Sequence, residues 1–337
     1  APSKIVSSTS STPLETGVAK ALTTTFKAVI DHNSGENVIT SPLSIYVSLG
    51  MVAEGVVGDT LKELQNSFGF TEGSVIDPKI LQSISELATS QSTDFTVKMD
   101  SSLFTNKKTP VNKSFAAVIK DKYHGHIESC DFADPKTVSL INKRIEDGTE
   151  GLVKKGVDKI AASAMSVLVN TLYFRGVWEE PFSKDDTYPD DFLKADGSKV
   201  KVDFMVKRGA HAGTKETGKY SYLALSYQSE KIKFVIEMAR DGKLDTSSHN
   251  TVLEVATKVP KEELNVAIPK FKAVFKCDMA PVLKSMGVQK VFQPSKDFAK
   301  LSDAPMCIDS ILQTACIQVD EEGTEASMFA VQVVEGE

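Results

Sequence analysis

The amino-acid sequence predicts an α+β fold in a single domain that spans residues 1–337. Two observations carry this prediction. Patterns typical of helices dominate residues 12–148, whereas patterns typical of strands dominate from residue 165 onward. The two kinds of segment do not alternate in the strand–helix–strand order that a parallel sheet requires, and this segregation is typical of the α+β class.

The helices of the first half are recognised by their starts. Thr12 can cap a helix that has a proline in its first turn, and Glu15 completes a capping box. Apolar residues then recur on one helical face, at Leu14, Val18, Leu22, Phe26 and Val29. Ser41 followed by proline repeats this arrangement. Further helices are predicted over residues 59–69, 77–90, 110–125 and 134–148.

The strands are predicted from alternation or from unbroken apolar runs. Residues 95–105 alternate and are rich in β-branched side chains. Residues 165–178 are apolar without a break, which is typical of a strand that is covered on both faces. Residues 265–275 contain Pro269 in mid-strand, and this predicts an edge strand or a bulge. A short helix over residues 278–287 and an apolar strand over 311–319 follow.

The last residues also alternate. One set of positions carries no charge and comprises Thr324, Ala326, Met328, Ala330, Gln332 and Val334. The other set begins with Glu325 and ends with Glu335. This pattern predicts a strand whose uncharged side is buried while both glutamates stay in solvent. Gly323 precedes it and is expected to act as a pivot, because glycine tolerates backbone angles that other residues avoid.

Composition and charge exclude several classes of function. The formal net charge is −6, and this argues against nucleic acid as the main partner. No stretch has the apolar length of a membrane span. The four cysteines are widely spaced and match neither a disulfide framework nor a zinc site, so we expect buried free thiols and no metal or other cofactor.

No motif of a catalytic site is present. The sequence lacks the G-x-S-x-G nucleophile elbow, the dinucleotide and phosphate-binding glycine loops and the H-E-x-x-H metal motif. We therefore expect a protein that is not an enzyme.

The N-terminal residues and one sequon bear on location. The chain starts without an initiator Met and without a hydrophobic signal core, as a processed terminus would. Asn112 begins an Asn-Lys-Ser sequon for glycosylation. Together these features predict a secreted, extracellular glycoprotein, with a cytoplasmic location as the alternative.

Five sequence blocks resemble the signatures of the serpins, the serine protease inhibitor family, and occur in the family's order. The blocks are NVITSPLSIYVSLGMVAEGVVGDTLKEL, INKRIEDGTEGLV, VLVNTLYFRGVWEEPF, VAIPKFK and IQVDEEGTEAS. The resemblance runs from about residue 14 to the end of the chain. It implies a fold with three β-sheets and about nine helices.

The resemblance also implies roles for individual residues. Residues 320–337 would form the reactive-centre loop, with Met328, Ala330, Gln332 and Val334 inserted into the main sheet after cleavage. The hinge of this loop would comprise Glu321, Glu322, Gly323, Thr324, Glu325 and Ala326. The shutter, under the middle of the main sheet, would contain Ser41, Ser44 and Asn170, and Trp178 would lie in the breach where the loop enters. Gln313 stands where many relatives have a histidine, and this puts the shutter hydrogen bonds in question.

A suicide-substrate mechanism follows from this resemblance. The protein would be a monomer whose partner is a protease, and the cleaved loop would insert and trap the acyl-enzyme. Counting seventeen residues from Glu321, the usual span in this family, places the reactive bond after Glu337. We expect a chain cleaved there, with its C-terminal segment separate or missing; a truncated chain is the alternative.

Two departures from the family pattern leave the target open. Met328 and Phe329 are bulkier than the tiny residues that usually follow the hinge, and Glu337 differs from the Lys or Arg that trypsin-like enzymes prefer. A serine protease is favoured as the target. A papain-like cysteine protease is the second hypothesis, and a non-inhibitory carrier or storage protein is the third.

Overall fold

The computed structural model of the protein describes residues 13–71, 75–88, 92–108, 110–194, 196–229, 232–242 and 249–336. The α-helices in these ranges are α1 Pro13–His32, α2 Pro42–Gly55, α3 Gly58–Phe68, α4 Pro78–Ala88, α5 Lys113–Tyr123, α6 Pro135–Gly148, α7 His249–Lys258 and α8 Met279–Ser285. The strands are β1 Phe95–Asn106, β2 His126–Cys130, β3 Ala164–Val177, β4 Tyr188–Leu193, β5 Lys199–Glu216, β6 Tyr220–Ser226, β7 Lys233–Ala239, β8 Lys261–Pro269, β9 Phe271–Asp278, β10 Met306–Val319 and β11 Gly323–Gly336. No helix in the described ranges is long and apolar enough to cross a membrane.

Two predicted helix caps, Ser41 and Asp134, are confirmed, whereas the helix predicted from residue 59 begins at Gly58 and the one predicted from residue 110 begins at Lys113. The Ser41 hydroxyl accepts a hydrogen bond from the Ser44 amide at the start of α2, over 3.2 Å. Asp134 caps α6 in the same way through the Lys136 amide. The predicted cap at Thr12 lies outside the described residues. The buried face of α1 was predicted incorrectly at one position, because Phe26 is exposed while Thr25 and Val29 are buried.

The main sheet has six strands in the order β2-β1-β3-β11-β10-β9. Only the β1–β2 pair is parallel, and the other neighbours run antiparallel. The strand predicted from the alternation after Gly323 is therefore confirmed as β11. It lies in the middle of the sheet, between β3 and β10, and is hydrogen-bonded along both edges.

A second sheet runs in the order β4-β5-β6-β7, and β8 also pairs with β5. The resemblance implies three sheets, and the described residues form two. The long strand β5 explains the difference, because its residues 199–204 pair with β4, residues 204–213 with β8 and residues 213–216 with β6. A register shift between Lys207 and Ala210 lies within the pairing with β8, where such an irregularity bends the strand.

The segment predicted as one strand over residues 265–275 is in fact two strands in two different sheets. Pro269 is the last residue of β8, which pairs with β5, and Phe271 is the first residue of β9, which pairs with β10. Proline has no amide N–H to donate to a ladder, so it suits the end of a strand better than its middle. Lys270 alone links the two strands and thereby lies at the junction between the sheets.

Three apolar clusters position the strands around β11. The first packs α1, α2, α3 and α8 against the back of the main sheet and includes Leu168 and Ile311. The second packs α6 against the front of the sheet and includes Ile141 and Val169. The third joins the end of the main sheet to the second sheet around Trp178. The main sheet is thus covered on both faces, as the apolar sequence of β3 predicts.

Candidate functional site at the hinge and receiving strands of β11

The residues predicted as a hinge form a tight link between two neighbouring strands. Val319 at the end of β10 pairs with Thr324 near the start of β11, so residues 320–323 make the whole connection. The Asp320 amide donates to the Gly323 carbonyl over 3.0 Å, and the Asp320 side chain accepts from the amide of Glu322. A link this short fixes the pairing of the two strands.

A buried ion pair anchors the hinge. The Glu321 side chain is 5% exposed, and its carboxylate accepts hydrogen bonds from Lys270 Nζ at 2.9 and 3.2 Å. The Thr187 hydroxyl donates to the same carboxylate over 3.0 Å. Glu321 was expected as a hinge residue, and the structure places it as the contact between the hinge and the junction of the two sheets.

The surroundings of Glu321 favour its ionised form. Burial works against ionisation, but the hydrogen bonds from Lys270 and Thr187 outweigh it and hold the pKa of Glu321 below its ordinary value. The hydrogen bond to Glu321 correspondingly raises the pKa of Lys270. Both groups are therefore charged across the neutral range, and each stabilises the other.

Trp178 holds the hinge from the side of β3. Its side chain is buried, and its indole Nε1 donates to the Asp320 carbonyl over 2.9 Å. Its backbone amide donates to the Glu322 carbonyl, also over 2.9 Å. The indole stacks on Tyr227 with ring centroids 4.8 Å apart. Trp178 thus lies beside the link between β10 and β11, and its role in the breach stays a prediction.

Gly323 is needed for a reason other than the predicted one. Its φ angle does not lie in the left-handed region, so a pivot with unusual backbone angles is not what the structure has. A Cβ atom added to Gly323 would instead lie 1.9 Å from the carbonyl oxygen of Gly176 on β3. Only glycine permits such a close approach of two backbones.

The prediction that Glu325 stays in solvent is wrong. Glu325 is half-buried, and its Oε1 accepts a hydrogen bond of 2.7 Å from the Tyr173 hydroxyl of β3. Tyr173 is 4% exposed. Burial raises the pKa of Tyr173, and the hydrogen bond to Glu325 raises it further. The reason for the error is that a neighbouring tyrosine hydroxyl provides a partner that the alternation alone does not reveal.

Within the uncharged set of alternate residues, the structure describes the burial of the first two side chains. Thr324 is 5% exposed and Ala326 is 8% exposed. The backbone of Met328, Ala330, Gln332 and Val334 belongs to β11. Their side chains and Glu337 lie outside what the structure describes, so their burial and the reactive bond stay predictions.

The three residues predicted for the shutter lie together. The Ser44 hydroxyl donates to Asn170 Oδ1 over 3.0 Å, and Ser41 contacts Ser44 as its helix cap. Asn170 Nδ2 donates onward to the Ser101 hydroxyl of β1 over 2.8 Å. This chain of hydrogen bonds joins α2, β3 and β1 beneath the middle of the sheet, and all four side chains are buried.

Gln313 does not join this chain. Its Oε1 accepts a hydrogen bond of 2.9 Å from the Thr40 hydroxyl, whereas its buried Nε2 has no partner among the described residues. Asn170 and Gln313 lie in one row across the sheet, and the backbone of Ala330 lies between them. β11 therefore separates the two amide side chains.

Replacing Asn170 by Ala should weaken the fold. The Ser44 and Ser101 hydroxyls would lose their partner in a buried site, and this should lower the free energy of unfolding by about 1–3 kcal/mol. Urea denaturation measures the change. Asn66→Ala is the matched control, because the Asn66 side chain is exposed on α3. An equal effect of the two substitutions would contradict a structural role for the Asn170 hydrogen bonds.

Several contact residues escaped prediction. Lys270 stands in a block that resembles the family, but only the structure pairs it with Glu321, 51 residues away in sequence. Tyr173, Gly176 and Ser101 belong to strands that were recognised without a role for these positions. In the sequence, the one feature that distinguishes Lys270 is its position directly after Pro269, where the structure ends strand β8.

Comparisons with known proteins agree on one family. The family model described as "Serpin (serine protease inhibitor)" matches residues 19–336. Neuroserpin of Gallus gallus is 29% identical over 309 residues, which cover 87% of this chain and 75% of the relative.

Solved structures share the fold. The structure of ovalbumin from the emu, Dromaius novaehollandiae, has a TM-score of 0.88 at 24% identity, over 96% of this chain and 90% of that one. Cleaved kallistatin complexed with heparin has a TM-score of 0.86 at 21% identity, over 95% and 98%. Since the family model covers nearly all of the sequence, the chain belongs to the serpin family of serine protease inhibitors.

Proposed function

We propose that this chain inhibits a serine protease as a suicide substrate, and that β11 is its reactive-centre loop after cleavage. The observation that supports this proposal is the position of β11 in the middle of the main sheet. A short hinge connects β11 to β10, and Glu337 follows the other end of β11 in the sequence. A strand attached in this way can enter the sheet from the hinge downward once its far end is released.

In the proposed reaction, the protease attacks the peptide bond after Glu337 as it would attack a substrate. The serine Oγ of the protease adds to the carbonyl carbon of Glu337, the peptide bond after Glu337 breaks, and an ester joins the two proteins. The new amine takes the proton and leaves. β11 then inserts before water hydrolyses the ester. The protease is carried with the end of the strand, and its catalytic geometry is distorted.

The free energy that drives the insertion of β11 comes from its backbone hydrogen bonds with β3 and β10. Before insertion the facing edges of β3 and β10 can pair only with each other, whereas afterwards each of these edges pairs with β11. The sheet gains about a dozen hydrogen bonds at roughly 0.5–1.5 kcal/mol each, on the order of 10 kcal/mol. Uncharged residues at Thr324 and Ala326 keep the cost of burial low.

A neighbour in fold supports the same interpretation. Kallistatin, whose fold this chain shares, was solved in a cleaved form. The likeness concerns the fold alone, and the inhibitory activity proposed here draws on family membership and on the position of β11.

Two other hypotheses make different predictions. Glu337 before the bond fits a cysteine protease that recognises preceding positions, with the thiolate as nucleophile. Met328 and Phe329 favour a carrier or storage protein that cannot insert the strand fast enough. The buried and uncharged positions of Thr324 and Ala326 support the inhibitor over the carrier.

A protease panel tests the proposal. The uncleaved protein, in which the bond after Glu337 is intact, is mixed with serine and papain-like cysteine proteases, and the products are separated in denaturant and weighed by mass spectrometry. We expect an adduct of the chain up to Glu337 joined to a serine protease. An adduct with cysteine proteases alone would favour the second hypothesis. Cleavage without any adduct would contradict inhibition and favour the carrier.

We propose an extracellular, monomeric protein, and glycosylation of Asn112 stays a prediction. The Asn112 side-chain nitrogen, to which a glycan would be joined, donates to the carbonyls of Ala299 and Lys300 at 3.1 and 3.3 Å. A glycan would replace one of the two hydrogens of this nitrogen, so at least one of these bonds at the start of α5 would be lost. The mass of the tryptic peptide that contains Asn112, taken from protein secreted by cells, determines whether it carries one.

A further inference from the structure

The contact between β11 and β3 is tightest at two glycines. A Cβ atom on Gly323 would lie 1.9 Å from Gly176 O, 2.9 Å from Gly176 C and 3.0 Å from Val177 Cα. All three are backbone atoms of a paired strand, so no side-chain movement can relieve the contact. Non-bonded carbon and oxygen atoms do not approach this closely.

The backbone of β3 at Gly176 cannot move away from Gly323. A Cβ atom on Gly176 would itself lie 2.7 Å from the Tyr227 ring and 2.8 Å from the Phe174 ring. These two rings pack edge to face, with centroids 5.2 Å apart, and Tyr227 is buried. The backbone of β3 is thus held between an aromatic pair and the start of β11.

Neighbouring registers of β11 place a residue with a Cβ in this position. A link longer by one or two residues would bring Thr324 or Glu325 to the place of Gly323, opposite Val177 and against the Gly176 carbonyl, and a link shorter by two would bring Glu321 there. Gly323 is the only glycine of residues 320–335. The observed register is therefore the one that the Gly176 backbone accepts.

A second contact depends on the same register. The Tyr173 hydroxyl reaches the Glu325 carboxylate over 2.7 Å, although Tyr173 is paired with Ser327. A shift of β11 by two residues would bring Ser327 or Gly323 to the place of Glu325, and neither has a carboxylate. The buried Tyr173 hydroxyl would then lose its acceptor.

We propose that Gly176 and Tyr173 of β3 set the register in which β11 enters the main sheet. The Gly176 carbonyl leaves room only for a glycine at the place of Gly323, and Tyr173 then binds Glu325, so the first residues to pair determine the pairing of all that follow. An error of two residues would shorten the inserted length by about 7 Å. The consequence for a trapped protease rests on the proposed function, whereas the register itself does not.

Cross-linking to a native cysteine measures the register. Cys316 on β10 lies opposite Ser327, and a two-residue shift would place Phe329 opposite Cys316. Ser327→Cys therefore reports the observed register, and Phe329→Cys reports the shifted one. Each variant is refolded and oxidised mildly, and disulfides to Cys316 are quantified by peptide mass mapping. Without further changes, we expect the cross-link at residue 327 to exceed that at 329 by about tenfold or more.

Gly323→Ala should shift this ratio toward residue 329 by about tenfold, because the observed register then carries the steric cost. Gly213→Ala is the matched control in another strand, since its added Cβ meets nothing closer than 3.5 Å. Tyr173→Phe should move the ratio in the same direction by a smaller factor, with exposed Tyr188→Phe as its control. An unchanged ratio in Gly323→Ala would overturn the proposal.

If Gly323→Ala does not fold, the Tyr173→Phe variant tests the proposal instead. An unchanged ratio of the cross-links at residues 327 and 329 in that variant would equally overturn the proposal. The measurement needs no protease. A protein that traps no protease but shows the expected ratios contradicts only the proposed function. A protein that traps its protease while the ratios stay unchanged contradicts only the register.

Discussion

Thr324→Arg should turn the inhibitor into a substrate. Thr324 is 5% exposed, pairs with Gly176 and Val319 on either side, and lies close to the buried Tyr227. An arginine there would carry its charge into an apolar site without an acidic partner, at a cost of several kcal/mol. Insertion would slow while hydrolysis of the ester would not. We expect the ratio of covalent complex to cleaved product to fall by more than about tenfold.

Glu322→Arg is the matched control for this substitution. The Glu322 side chain is 71% exposed and forms an ion pair of 3.8 Å with Lys184. The same arginine two residues away should therefore leave the ratio nearly unchanged. Gel densitometry of complex and cleaved product measures both variants. Equal complex formation by Thr324→Arg and the unaltered protein would show that insertion past the hinge is not the trapping step.

Lys270→Met should cause the largest loss of stability. The substitution leaves the Glu321 carboxylate buried with Thr187 as its remaining side-chain partner. Removing one member of a buried ion pair typically costs about 3–5 kcal/mol, and the partial exposure of Lys270 places the expected loss at the lower end of this range. Chemical denaturation near pH 7 measures the loss.

The loss should depend on pH in a defined direction. The lowered pKa of Glu321 stabilises the fold above its unfolded value of about 4.3, and this contribution disappears as the pH falls through the folded value. The raised pKa of Lys270 stabilises the fold below about 10.4, and this contribution disappears as the pH rises through the folded value. The difference between the variant and the unaltered protein should therefore be greatest between about pH 5 and 10 and should shrink below about pH 4.

Lys272→Met serves as the control, because Lys272 is exposed on β9, two residues from Lys270. Its effect should stay within about 0.5 kcal/mol. A Lys270→Met variant that is as stable as this control, or one whose deficit grows in acid, would contradict the account of the Glu321 site.

Sequence patterns predicted the first half of the fold better than the second. Ser41 and Asp134 mark helix starts through local hydrogen bonds that depend on residues nearby in sequence. Strand β4 is exposed at every residue, so it has no buried face to produce an alternation, and β5 to β7 were likewise not predicted. The switch between sheets at Pro269 was missed because apolar residues continue on both sides of it.

The candidate site was predicted in part for a related reason. The alternation from Thr324 predicted the strand but not that Ser327, in its charged set, is buried, and the resemblance singled out Asn170 and Trp178. The partners of these residues come from distant segments: Ser44 and Asn170 are 126 residues apart. Gly323 shows most clearly where prediction from the sequence ends. A Cβ atom at this position would meet a backbone carbonyl of β3, which no pattern near residue 323 indicates.

The central claim is that residues 323–336 are exposed as a loop before cleavage and become a sheet strand afterwards. Amide hydrogen exchange of this segment, compared before and after cleavage of the bond that follows Glu337, tests it most directly. We expect exchange to slow by about a thousandfold or more, together with a marked rise in the unfolding temperature. Equal exchange rates in the two forms would contradict the account.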